Sequence, residues 1–109
     1  MIPDTDDIRL DDRVILITGA GDGIGKAVAL ACAGRGATVI LLGRTVHKLE
    51  QVYDEIKNSG WPEAAIYPMN LEGATPADYD DLNANIDREF GRLDGLFHNA
   101  GWLGASTPM

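Results

Sequence analysis

A glycine-rich loop between an apolar strand and an alanine-rich helix is the feature that most constrains the fold of this chain. The apolar run Val14 to Thr18 is rich in β-branched residues and predicts a buried strand. Glycine follows at positions 19, 21, 23 and 25, and a helix is predicted over residues 23–35. Glycine permits positive φ angles in such a turn and leaves the amides at the helix start open to a phosphate. The loop therefore favours a nucleotide-binding site over a turn without a ligand.

Strands and helices alternate along the rest of the chain. The pattern predicts strands over 14–18, 37–42, 65–70 and 93–98 and helices over 23–35, 45–59 and 76–90. Short turns between such elements imply right-handed crossovers and a parallel sheet. Because helices cover both faces of such a sheet, its strands are continuous apolar runs. The predicted fold class is therefore α/β, a three-layer α/β/α arrangement around a parallel sheet.

Each predicted helix carries apolar side chains at helical spacing, which indicate the face that packs on the sheet. These are Ile24, Val28 and Ala31 in the first helix, Leu49, Val52, Tyr53 and Ile56 in the second, and Tyr79, Leu82, Ile86 and Phe90 in the third. Thr45 and Thr75 are the predicted N-caps. Pro68 weakens the prediction of the third strand, because proline cannot donate a ladder hydrogen bond.

Composition and charge exclude several classes of protein. The 109 residues suffice for one domain, and the apolar fraction of 45% is typical of globular chains. The net charge of −8 argues against nucleic acid or an anionic membrane as a partner. Residues 1–12 hold five Asp and one Arg and are predicted to form an acidic tail. Residues 13–71, which carry the glycine-rich loop, have six bases and five acids, as suits an anion-binding site.

Cysteine content and the N-terminus indicate the compartment. Cys32 is the only cysteine, so no intrachain disulfide can form, and the cytoplasm is the expected location. The acidic N-terminus lacks the basic start and apolar centre of a secretory signal. No apolar run approaches the roughly 20 residues that span a bilayer. The sequence predicts no metal site.

Two common glycine motifs do not fit the loop. Its spacing does not match G-x-G-x-x-G from any starting glycine, and a Walker A loop would need glycine at Ala20 and a hydroxyl at Ala27. The alternating glycines loosely resemble the loop with which methyltransferases hold S-adenosylmethionine. That loop usually follows an acidic residue, and this chain has Thr18 there.

The loop does match T-G-x-x-x-G-x-G at positions 18–25. At this point the chain resembles the short-chain dehydrogenase/reductase family, whose Rossmann-like sheet is doubly wound. His98-Asn99-Ala100-Gly101 is similar to the family's N-N-A-G after the fourth strand, and Asn70-Leu71 stand where the family usually has Asp and an apolar residue. The resemblance runs from about Arg13 to the end, and it implies a doubly wound sheet that is truncated here after about the fourth strand. It implies that residues 13–109 are the N-terminal, cofactor-binding part of a dinucleotide-binding domain.

The resemblance also implies which residues bind the cofactor. They fall into three groups, at the pyrophosphate, beside the adenine and at the nicotinamide ribose. These residues are Gly19, Gly23, Ile24 and Gly25 at the pyrophosphate, Asn70 and Leu71 at the adenine, and Asn99, Ala100 and Gly101 at the ribose.

The end of the second strand favours NADP over NAD. An acid there would bind the ribose 2′-hydroxyl of NAD and repel a 2′-phosphate. This chain has Gly43 and Arg44 instead, and an arginine can contact a 2′-phosphate directly. Asp22 argues for NAD, because relatives that prefer NADP often carry a base at its position.

The resemblance implies an NADP-dependent oxidoreductase that transfers hydride between NADP(H) and a carbonyl or secondary alcohol of a small-molecule substrate. The family's Ser and Y-x-x-x-K would lie beyond Met109, so we expect no catalytic residue in this chain and no activity from it alone. Tyr53 and Lys57 formally match Y-x-x-x-K, but they lie on the second helix, where packing explains Tyr53.

Two alternatives share most of these residues: a non-catalytic module that binds or senses NADP(H), and a methyltransferase-like domain that binds S-adenosylmethionine. The apolar edge of the fourth strand predicts a marginally stable, aggregation-prone chain. We therefore expect the chain to be part of a longer enzyme, and the resemblance implies that its full-length form is a homo-oligomer.

Overall fold

Four short apolar segments form one parallel sheet in the computed structural model, which describes residues 9–98. They are β1 (Val14–Thr18), β2 (Thr38–Gly43), β3 (Ala65–Pro68) and β4 (Gly95–Phe97). Their spatial order is β3-β2-β1-β4, so the chain first builds outward from β1 and then returns to its other side. The strand order therefore reverses between β1 and β4, which is the place where such sheets bind ligands.

Three helices connect the strands and cover both faces of the sheet. They are α1 (Gly23–Gly34), α2 (Val46–Asn58) and α3 (Pro76–Phe90). One apolar cluster joins α1 and α2 to one face, and a second joins α3 to the other. This arrangement confirms the predicted Rossmann-like α/β fold.

Alternate residues of the strands point to opposite helix layers. Ile17, Val39 and Leu41 belong to the cluster of α1 and α2, whereas Leu16, Ile40 and Leu42 belong to the cluster of α3. All six are nearly inaccessible to solvent. Because both faces are buried, both favour apolar side chains, and the central residues of β1 and β2 are unbroken apolar runs.

The face of α1 that packs on the sheet is not the one that the apolar spacing predicted. Gly25, Ala29 and Ala33 are buried, whereas Ile24 is 67% exposed and Ala31 is also exposed. The prediction followed the larger side chains, but close packing of a helix against a strand selects the small ones. Val28, the third predicted residue, is half-buried.

The packing of α2 is confirmed, and that of α3 only in part. Leu49, Val52 and Ile56 are buried, and Tyr53 packs half-buried beside them. On α3 the side chains of Leu82 and Ile86 are buried and Phe90 is half-buried, but Tyr79 is 42% exposed. The prediction for Tyr79 was wrong because the first turn of α3 precedes the part of the helix that is buried against the sheet.

The two predicted N-caps behave differently. The Thr75 hydroxyl accepts from the Asp78 amide, and the Asp78 carboxylate accepts from the Thr75 amide, which completes a capping box. Thr45 has an extended backbone at the start of α2 but makes no such side-chain bond. The strands before and after α3 in the chain, β3 and β4, are both shorter than predicted, and β3 ends at Pro68.

A clasp around Asp94 joins the beginning of β4 to that of β1. The Val14 amide donates to Asp94 Oδ2 at 2.8 Å, and the Asp94 amide donates to the Val14 carbonyl at 2.8 Å. Arg92 Nη2 lies 2.7 Å from Asp94 Oδ1, and Arg13 Nη1 lies 3.7 Å from it. These contacts hold the edge strand β4 in register at the end of the sheet remote from the glycine-rich loop.

The acidic N-terminal segment reaches the fold before residue 13. Leu10 packs against the cluster of α1 and α2, and its amide donates to the Arg35 carbonyl at 2.7 Å. Residues 1–8 lie outside the described residues, so the tail as a whole stays a prediction. Between residues 9 and 98, none of the helices has the length and apolar character needed to cross a membrane.

Candidate functional site

The carboxyl ends of β1, β2 and β3 open onto one cavity of about 400 Å³. Three segments wall it: the glycine-rich loop after β1, the connection from β2 into α2, and the segment that follows β3. Parallel strands place all their carboxyl ends at one edge of the sheet, so the topology itself brings these segments together.

The cavity unites predicted site residues from all three walls. Those that line it are Gly19, Asp22, Arg44, Asn70 and Leu71. The first turn of α1, with Gly23, Ile24 and Gly25, follows directly on this loop without lining the cavity. Asn99, Ala100 and Gly101 lie outside the described residues, so their predicted role stays a prediction.

The glycine-rich loop has the backbone that its sequence predicts. Gly19 and Gly23 have φ angles of 62° and 51°, in the left-handed region where a side chain is strained. Between them, the Ala20 amide donates to the Leu42 carbonyl at 3.1 Å. This bond fixes the loop to the end of β2.

The start of α1 is open to an anion. Asp22 is the N-cap by position, but its side chain makes no cap hydrogen bond, and the first turn contains no acid. Its carboxylate instead lies 2.8 Å from the Lys48 ammonium. The amides of a first helical turn have no acceptor within their own helix, and they carry the positive end of its dipole. The loop therefore presents donors rather than a capped end.

Arg44 stands at the exit of β2, where it lines the cavity. Its Nη1 is 3.9 Å from Glu72 Oε1, and the two side chains are 70% and 83% exposed. Such an exposed pair is worth at most about 1 kcal/mol, so the guanidinium can exchange its partner readily. The strand itself ends at Gly43, where a Cβ would lie 3.1 Å from Leu49 Cδ2, so a side chain could fit there only if Leu49 shifted.

Asn70 has a structural task in addition to lining the cavity. Its Oδ1 accepts from the Glu72 amide at 3.0 Å and so begins a short 3₁₀ turn over Leu71–Gly73. Leu71 is half-buried against the cluster of α3. One acceptor site of the Asn70 side-chain oxygen is therefore engaged, while its amide nitrogen can donate to a ligand.

Sequence reasoning missed two charged residues of the cavity, Lys48 and Glu72. Lys48 lies in the first turn of α2, directly after the segment that holds Arg44, so the predicted start of that helix could have identified it. No signal of that kind marks Glu72, which reaches the cavity because the 3₁₀ turn directs the chain there.

Tyr53, the formal Y-x-x-x-K tyrosine, does not line this cavity. Its hydroxyl donates to Glu63 Oε2 at 2.6 Å, and this hydrogen bond to a carboxylate raises the pKa of Tyr53 above its usual value. With Lys57 and Trp61 it lines a separate cavity of about 230 Å³.

Comparison with known proteins agrees with this geometry. The short chain dehydrogenase family matches residues 13–109. The uncharacterized oxidoreductase YciK of Escherichia coli K12 is 44% identical over 100 residues, which are 92% of this chain and 40% of that protein. The chain thus spans about two fifths of the length of this relative.

Two solved structures are also similar. A chain described as a short chain dehydrogenase from Pseudomonas syringae is 54% identical, with a TM-score of 0.79 over 83% of this chain and 36% of that one. Another, from Escherichia coli CFT073 and solved in complex with NADPH, is 44% identical, with a TM-score of 0.84 over 94% of this chain and 42% of that one. The chain described here belongs to the short chain dehydrogenase family.

Proposed function

We propose that this chain is the cofactor-binding part of an NADP-dependent oxidoreductase that transfers hydride between NADP(H) and a carbonyl or secondary alcohol. The observation that carries the proposal is the position of Arg44 in the cavity directly after β2, where the strand ends in Gly43 rather than an acid. A base directly after the strand, with no acid at the strand end itself, favours a 2′-phosphate over a free ribose hydroxyl.

The residues of the cavity and of the adjoining start of α1 fit the parts of such a dinucleotide. The loop and the open start of α1 offer backbone donors to the diphosphate. Arg44 offers a bidentate contact to the 2′-phosphate, while Leu71 and Asn70 offer an apolar wall and an amide to the adenine. The NADPH bound to the Escherichia coli CFT073 relative supports this assignment.

Hydride transfer to a carbonyl also needs a proton donor for the developing alkoxide, because NADPH supplies the hydride but not the proton. Tyr53 is unsuited to that task, because it lies at another cavity and its pKa is raised rather than lowered. We therefore propose that the 109-residue chain binds the cofactor without turning over a substrate.

Thermal unfolding with NADP, NAD and S-adenosylmethionine tests the proposal, since a ligand that binds the folded state raises the midpoint by mass action. We expect NADP to raise the midpoint most. Arg44→Met should weaken NADP about tenfold while leaving NAD nearly unchanged, because only NADP carries the 2′-phosphate. Arg88→Met, which removes an exposed arginine of α3 outside the cavity, is the matched control and should alter neither affinity.

Three other outcomes would count against parts of this proposal. Stabilisation by S-adenosylmethionine alone would support the methyltransferase-like alternative and overturn the proposal. Reduction of a ketone by the chain itself would contradict the exclusion of Tyr53. Equal stabilisation by NADP and NAD, unaffected by Arg44→Met, would refute the assignment of the 2′-phosphate to Arg44.

A further inference from the structure

Two ion pairs cross the rim of the cavity, and only one is closely held. Lys48 Nζ lies 2.8 Å from Asp22 Oδ2, within hydrogen-bond distance, whereas Arg44 Nη1 and Glu72 Oε1 are 3.9 Å apart. In both pairs the cation comes from the segment around the start of α2, and the acid comes from a neighbouring wall. The cavity thus contains a second base whose position is better defined than that of Arg44.

We propose that Lys48 is a second specificity-determining residue for the 2′-phosphate of NADP, and that Asp22 is its positioning residue. This inference rests on the proposed function. It also resolves the conflict between Arg44, which favours NADP, and Asp22, which by charge alone favours NAD.

The local packing explains how Lys48 reaches the loop. A Cβ on Gly21 would lie 2.8 Å from Lys48 Cβ, so the absence of a side chain at position 21 lets the lysine lie directly against the loop. The lysine side chain is 47% exposed, and it therefore remains accessible to a ligand. Its stem is placed by packing and its ammonium by Asp22.

Charge and hydrogen-bonding capacity indicate what the pair does. Unpaired, the Asp22 carboxylate would place a negative charge on the wall of the cavity and repel a phosphate. An ammonium has three donors, and Asp22 accepts from one of them, so two remain for phosphate oxygens. Lys48 therefore neutralises the repulsive charge of Asp22 and offers its remaining hydrogen-bond donors to the phosphate.

The test compares adenosine 2′,5′-bisphosphate with adenosine 5′-monophosphate, which differ only by the 2′-phosphate. Dissociation constants of both are measured by calorimetry on the full 109-residue chain at one fixed ionic strength. We expect Lys48→Met to reduce the preference for the bisphosphate about tenfold and to leave the monophosphate within about twofold. Lys57→Met, the same change further along α2 and outside the cavity, should leave both constants unchanged.

A second substitution separates masking of charge from a structural effect. In the Lys48→Met background, Asp22→Asn should restore the preference about threefold or more, because it removes the unmasked carboxylate. In the wild-type background the same substitution should change the preference less. Loss of affinity for both nucleotides in Lys48→Met would assign the lysine a structural role and overturn the proposal.

The outcomes also distinguish this inference from the proposed function. If the wild-type chain prefers the bisphosphate and Lys48→Met retains that preference, the inference is wrong and the proposed function stands. If the wild-type chain binds neither nucleotide, or shows no preference between them, both fail together.

Discussion

Gly21 and Lys48 approach each other so closely that the identity of residue 21 controls how α2 meets the loop. Adding a Cβ at Gly21 would bring it to 2.8 Å from Lys48 Cβ, an atom near the backbone that cannot swing aside. We expect Gly21→Ala to lower the free energy of unfolding by about 1–3 kcal/mol, because the helix or the loop must shift. Urea unfolding of the two proteins measures the difference.

Gly73→Ala is the matched control for that substitution. No atom lies within 4 Å of the Cβ that it would add, and its φ angle is not in the left-handed region. Its effect should stay within about 0.5 kcal/mol. A cost at Gly73 equal to that at Gly21 would mean that contact with Lys48 is not the cause.

Single residues could be predicted where the chain alone fixes their position. Arg44 follows a strand whose end is evident from the sequence, and the structure places it in the cavity. The contact between Lys48 and Asp22 joins residues 26 positions apart. That contact depends on how closely α2 approaches the loop, and no local pattern encodes this approach.

Of the helices α2 and α3, only α3 has a side-chain cap at its N-terminus. Thr75 and Asp78 satisfy each other's amides, whereas Thr45 makes no side-chain bond at the start of α2. We expect Thr75→Ala to lower the free energy of unfolding by about 1 kcal/mol and Thr45→Ala by clearly less, because only the first loses a cap. Thermal or urea unfolding of both variants tests the contrast, and equal losses would refute it.

Boundaries and types of the elements could be predicted more securely than their buried faces. Apolar runs and glycine stops placed α2 and α3 within two residues of where they lie. The buried face of α1 could not be read from the same spacing, because Gly25, Ala29 and Ala33 pack by being small. Hydrophobic periodicity weights size and apolarity, and it therefore misses a helix that packs through its smallest side chains.

At the scale of the whole molecule, the clasp around Asp94 makes the sheet sensitive to acid. The hydrogen bond from Arg92 and then the one from the Val14 amide lower the pKa of Asp94 below its usual value. A carboxyl with a depressed folded-state pKa stabilises the fold above its unfolded pKa of about 4 and loses that contribution as the pH falls through the folded-state value. Acid should therefore release β4 from β1.

The free energy of unfolding of Asp94→Asn, measured between neutral and strongly acid pH, tests this dependence. We expect the variant to be less stable than the wild type at neutral pH and the difference to shrink as the pH falls below about 4. Asp80→Asn, on the exposed side of α3, should show no such convergence. A difference for Asp94→Asn that persists unchanged in acid would exclude ionisation as its origin.

The overall topology could be predicted almost entirely, because alternating buried strands and amphipathic helices admit few arrangements. The side-chain contacts between residues far apart in the sequence could not be predicted. Asp94 sits 80 residues from Val14 in the chain, and the sequence around it resembles any polar turn. The same holds for the candidate site. The topology, which could be predicted, brings the three walls of the cavity together, whereas the ion pairs between them depend on side-chain geometry, which could not.

The backbone hydrogen bond from the Ala20 amide to the Leu42 carbonyl has a consequence for ligand binding. It attaches the glycine-rich loop to β2, so the distance between these two walls of the cavity is fixed before a ligand binds. Because the binding site is preorganised, less conformational entropy of the protein is lost when a ligand binds, and more of the contact energy appears as affinity. Under the proposals above, discrimination between ligands then depends on the charged side chains that line this preformed cavity.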